Sequence, residues 1–208
     1  MLSTTTFLAG LLALSGMVFS APAALDQTGG AIGIEGYTIV PIEFELPVKP
    51  DDPNGEKVIL HGTIQEVIAK MEASYPGWNQ SFLSTPVLAP SDDNLEQPSS
   101  FNCNIGFGEP VSNYRLDQGI VYLTHLSGTA KNGPGPGNCG RVSCSYGSAI
   151  YWCNEDSVEK ELQWLQIADG AHQVVVKCQV QDDKGVWKTK GQANYNTHWN
   201  VVDRRDDC

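Results

Sequence analysis

Residues 133–155 read GPGPGNCGRVSCSYGSAIYWCNE and hold three of the chain's six cysteines, Cys139, Cys144 and Cys153. Residues 140–145 and 148–154 are two strand candidates around Tyr146-Gly147, which is a hairpin by composition. The spacing of the cysteines is the first thing to decide, because metal, redox chemistry and covalent stapling imply different molecules. Zinc sites use two short Cys-x2-4-Cys pairs, or one pair followed by closely spaced histidines. Here Cys139-x4-Cys144 is followed by intervals of 8 and 24 residues, and His61, His125, His172 and His198 are scattered. No Cys-x-x-Cys is present, and Arg141 is the one cation close enough in sequence to lower a thiol pKa. The reading that fits is a disulfide framework of Cys103, Cys139, Cys144, Cys153, Cys178 and Cys208. Six cysteines allow fifteen connectivities, and the sequence does not choose among them.

Working outward, residues 101–208 read strand, helix, strand, strand, helix, strand, strand. Residues 101–107 are the first strand; Leu116, Ile120, Leu123 and Ser127 mark a helical face, and Gly128 stops it. Ile167, Ala171, Val174, Val175 and Cys178 mark a second helix. Residues 185–193 and 198–203 read as closing strands. The expected fold is α+β: an antiparallel sheet with helices on one face, a split β-α-β-like sandwich stapled by disulfides. Cys144 and Cys153 fall on the two arms of the hairpin. Cys178 falls on the buried face of the second helix, where a bridge would pin helix to sheet, and Cys208 would tie down the end of the segment.

The first half differs in character. Residues 1–20 pair a short polar start with an apolar run, 7–19, too short to span a bilayer, and read as a secretory signal peptide cut after Ser20. Residues 21–100 hold twelve Asp or Glu against three Lys, a net −9; residues 101–208 hold twelve against ten, a net −2. The acidity opposes nucleic acid and anionic membrane surfaces as partners. Residues 36–48, GYTIVPIEFELPV, alternate as a strand with Pro41 in it, and residues 58–60 are a second strand. Thr63 and Glu66 form a capping box ahead of a helix over 63–74, stopped by Tyr75-Pro76-Gly77. Asn79 opens a glycosylation sequon, usable if exposed, and residues 84–100 have linker composition. The acidic, cysteine-free stretch 21–100 is therefore either a pro-region or a folded element packed on residues 101–208.

No catalytic signature emerges. There is no G-x-S-x-G elbow, and Ser143, Ser145 and Ser148 have no local histidine. Glu155, Arg141 and a histidine can be assembled into a ribonuclease-like set only on paper. GPGPG lacks the Lys-Ser/Thr of a phosphate loop and reads as a mobile loop held at one end by Cys139. No cofactor or metal site is expected. The candidate contact surface is this loop, at Gly135 and Pro136, together with Tyr146 and Tyr151 read as exposed aromatics.

The segments GPG-x-C-GRVSCS and SAI-x-WCN, with the Cys103 strand, the GIVYL helix and the late Cys178 helix, cover roughly residues 100–205. On them the chain resembles small cysteine-rich proteins secreted by filamentous fungi, which include effector candidates of plant-colonising species. More distantly it is similar to the virally encoded killer toxins of smut fungi, which have a different cysteine pattern. The resemblance implies a secreted, extracellular, non-enzymatic protein that acts on a host or competitor protein. A killer-type or antimicrobial toxin is the second expectation and a secreted hydrolase the third.

Overall fold

The computed structural model describes residues 36–87, 95–106 and 108–208; the expected signal peptide, part of the linker and Phe107 lie outside the described residues. The fold is α+β, built on antiparallel-dominated sheets with three disulfides.

The described chain enters through β1 (Thr38–Val40) and β2 (Glu43–Pro47). Pro41 divides what the alternation presents as one strand, since proline has no N–H to give a ladder. The hairpin partner of β2 is β3 (Lys57–His61), and α1 (Ile64–Ser74) follows. Its capping box is formed: the Thr63 N–H donates to Glu66 Oε2 at 2.7 Å. Ile64, Val67, Ile68 and Met71 are its buried stripe. A short helix, α2 (Trp78–Ser84), comes next and buries Trp78 and Phe82.

Next come β4 (Ser100–Asn102), β5 (Val111–Ser112), α3 (Asn113–Thr124) and β6 (Thr129–Asn132). The first strand of this half is shorter than residues 101–107, because the chain turns away after Asn102 toward the bridge at Cys103. The hairpin of the opening stretch is β7 (Asn138–Ser145) and β8 (Ser148–Asn154). After it come β9 (Lys160–Gln163), α4 (Trp164–Cys178), β10 (Gln179–Gln181), β11 (Trp187–Thr189), β12 (Gly191–Tyr195) and β13 (Trp199–Arg205). The stretch 185–193 thus contributes to two strands in different sheets rather than one.

The main sheet has the order β1-β7-β8-β13-β12-β4, with β1 parallel to β7 and the other neighbours antiparallel. α3 and α4 cover one face. Gly119 brings α3 down onto Ser143 and Ile150, and Gly170 brings α4 onto Val201 and Tyr195; a Cβ at either glycine would lie within 3 Å of a sheet side chain. The first half belongs to the same core. Phe44 of β2 stacks on Trp164 at 4.6 Å, and Gln65 of α1 donates to Ser143 Oγ at 2.7 Å while accepting from the Cys144 N–H at 2.9 Å. Ile42, Met71, Trp78 and Phe82 pack into one hydrophobic cluster with Leu116, Trp152 and Val201.

The second face carries two of the three staples. Arg141 pairs with Tyr151 and Ser143 with Ile150, so Val142 is an extra residue, a β-bulge. An uninterrupted strand alternates faces, which would send Cys139 and Cys144, five residues apart, to opposite sides. The bulge shifts the alternation by one, and both cysteines lie in the second cluster with Ala149, Tyr151, Cys153 and Val202. Cys139 bridges Cys153 across the hairpin, and Cys144 bridges Cys208. Cys103 bridges Cys178, pinning the end of α4 to the segment after β4.

Candidate contact surface

Tyr146 and Gly147 close the β7–β8 hairpin with φ of +50° and +76°. Two positive φ values are the signature of a type I′ turn, where Asn-Gly is the favoured pair. Tyrosine is unusual at the first position. The residue is 79 % exposed, and the Arg115 guanidinium lies 3.7 Å from its ring centroid. The same guanidinium lies 5.2 Å from the ring of Tyr114, which is 64 % exposed, and donates to Gln118 Oε1 at 2.9 Å. Gln118 in turn reaches the Tyr114 hydroxyl at 3.4 Å. The turn of the hairpin and the outer face of α3 thus hold two tyrosines around one arginine. Beside them Leu83, Tyr114, Asp117, Gln118, Val121 and Tyr122 line a shallow, mostly apolar groove of about 340 Å³.

One residue of the expected surface is corrected, and the exposed Pro136 and its loop are placed apart from Tyr146. Tyr151 is fully buried. It lies mid-strand on the second face of the sheet, where the chain after β13 folds over it. Its hydroxyl donates to Asp206, Arg141 pairs with Asp206 at 2.9 Å, and the Arg204 guanidinium lies 5.2 Å from its ring. Burial and the neighbouring carboxylate push the Tyr151 phenol up to about 12. The sequence pattern implies one covered face; the second face is covered as well, so alternation no longer separates inside from outside. Gly135 and Pro136 lie at the far end of β7 from Tyr146, about 23 Å away along an eight-residue strand. Their loop is fastened rather than free: the Gly135 N–H donates to Asp156 O at 2.7 Å, and a Cβ on Gly135 would run into Asn154 O. Tyr146 is the residue of the expected set that stands on an open surface with aromatic neighbours.

The sites weighed for chemistry are dispersed. Ser143 and Ser148 are buried, and Ser143 is held by Gln65. Arg141 is bound to Asp206, while Glu155 accepts from Asn200 Nδ2 at 2.7 Å beyond the far end of β8. A larger groove of about 1040 Å³ lies between the first half and the α3–α4 layer, walled by Pro47, Pro53, Phe82, His125, Gln163 and Gln166. In it His125 Nδ1 lies 2.8 Å from the Val121 carbonyl, and its ring packs against Phe82 at 5.7 Å. Among the described residues no group of three or more His, Cys, Asp or Glu is placed to hold a metal, and no helix is long and apolar enough to cross a membrane. Asn79 lies in the first turn of α2, half-buried; its N–H donates to Glu72 Oε2 at 2.9 Å, and its side-chain oxygen is sealed from solvent.

Sequence reasoning reaches Tyr146 but not Tyr114 and Arg115. The signal is there in part: Tyr114 and Arg115 open α3 off its apolar face. That α3 lies beside the turn of the β7–β8 hairpin is a tertiary fact. The chain matches no family model, no curated protein and no solved structure.

Proposed function

We propose that the protein is a secreted, non-enzymatic binding protein of effector type, acting on a host or competitor protein through the Tyr146–Arg115–Tyr114 surface. The observation that carries this reading is Tyr146. A largely exposed tyrosine occupies a left-handed turn position that asparagine would fill with less strain, and an arginine is stacked against it. Tyrosine and arginine dominate the energetic centres of protein interfaces because they offer large, stiff contact area with polar tips. The adjoining groove of Leu83 and Val121 supplies the apolar margin. Three disulfides accord with an oxidising, extracellular destination.

The test compares wild type with Tyr146→Ala and Arg115→Ala, added at equal dose to host tissue and to competing cells. We expect wild type to alter response or growth and both variants to lose the effect, with unchanged far-UV circular dichroism. Wild type that alters nothing, or folded variants that keep full effect, would remove the proposal.

A further inference from the structure

Asp203 sits in the wrong place for a charge. It is fully buried near the middle of the main sheet, and neither carboxyl oxygen has a hydrogen-bond partner among the described residues. It lies two residues after Val201 on the same side of β13, the side that meets Gly170 of α4. Its cross-strand neighbours are Ile150 on β8 and Gly191 on β12. Ile150 is apolar, and Gly191 has no side chain to offer; Val174 and Cys178 of α4 close over it. The carboxyl is therefore enclosed between the sheet and the α3–α4 layer.

The titratable groups that face this region bring no cation against it. From α3 comes Asp117, a like charge that acts directly on Asp203. From β12 comes Tyr195, whose hydroxyl is also buried without a partner among the described residues. From α4 come Asp169, which acts on Tyr195, and His172, which favours the ionised forms of Asp117 and Asp169. A carboxylate in such a setting is unfavourable both by loss of hydration and by repulsion.

We propose that Asp203 is a pH-sensing carboxyl that lets the α3–α4 layer close on the sheet when it is protonated and loosens that layer when it ionises. Burial first, and Asp117 second, hold its pKa well above the ordinary 3.8. A carboxyl whose folded pKa is raised contributes its stability in full below the unfolded value. That contribution is lost as pH rises from 3.8 toward the folded pKa, the folding constant falling about tenfold per unit. At Asp203 the molecule is thus tightest in acid, against the usual trend for carboxylates that are paired.

The experiment is urea unfolding of the full chain from pH 4 to pH 8, for wild type, Asp203→Asn and Asp117→Asn, with infrared spectra of wild type. We expect wild type to lose stability on going up in pH relative to Asp203→Asn. Asp117→Asn should lose less than wild type, because one repelling charge is gone. A protonated-carboxyl band should persist in wild type above about pH 5, where exposed carboxyls are ionised. Parallel pH profiles for wild type and Asp203→Asn would overturn the proposal. Should Asp203→Asn fail to fold, the infrared spectrum of wild type decides: a missing protonated band above about pH 5 overturns it.

Discussion

Tyr146 and Tyr151 lie five residues apart in one hairpin and have opposite fates. Tyr146 stands at a turn with φ of +50°, and Tyr151 lies mid-strand beneath the segment after β13. From this follows a separable effect at Tyr146. Tyr146→Asn should leave the fold as stable as wild type or up to about 1 kcal/mol more stable, since the turn prefers asparagine, while abolishing the activity proposed for this surface. Thermal unfolding and the host assay read the two effects independently; a variant that loses stability by more than this would show the Arg115 stack to be structural. At the other end of β7, Gly135→Ala should cost on the order of 1–3 kcal/mol. The new Cβ meets the Asn154 carbonyl, which is backbone and cannot swing aside. Urea midpoints would check it. The exposure of Tyr146 is legible in the sequence because a turn has no inside. The burial of Tyr151 is not, because it depends on residues 206–208 returning over the strand.

Among the elements, α1, α3 and α4 can be read directly. Each carries apolar residues at helical spacing, and α1 adds a capping box. α2 escapes because Pro76-Gly77 reads as an end; its signal is Trp78 and Phe82, four apart, a single helical pair. β5, β6, β9 and β10 are two to four residues long, too short to display a period. Strand β8 is legible as a strand, but all seven of its residues are buried, which alternation cannot announce. The pairing of the cysteines is hidden by the bulge at Val142, which nothing local specifies. The bridges should differ in worth. Cys139–Cys153 closes 14 residues and Cys103–Cys178 closes 75. Loop entropy assigns them about 3 and about 4.5 kcal/mol. Replacing each pair by alanine and comparing urea unfolding should give that order; equal losses would mean that chain entropy is not what the bridges act on.

For the whole molecule, the division in charge at residue 100 is not a division in packing. Phe44 on Trp164 and Gln65 on Ser143 join the two halves. Phe44→Ala should cost about 3–5 kcal/mol, as for other buried phenylalanines, although it lies in the cysteine-free half. A chain beginning at residue 100 should fail to give a cooperative thermal transition, having lost β1 to α2. A sharp transition from that shortened chain would favour the pro-region reading of residues 21–100. The Arg204-Arg205 pair is guarded on one side: Arg204 is fully buried in β13, beside Asp206. A dibasic protease should leave it intact until the disulfides are reduced.

The strand order β1-β7-β8-β13-β12-β4 also sets a timetable. The strand at the middle of the sheet, β13, is the last of the six to be synthesised. Until it arrives, β8 and β12 each offer an open edge, and β8 carries Ile150, Trp152 and Tyr151 with nothing from β13 against them. Nascent chains of this topology are thus most adhesive just before they finish. Their yield should depend on chaperone capacity more than on the stability of the finished fold.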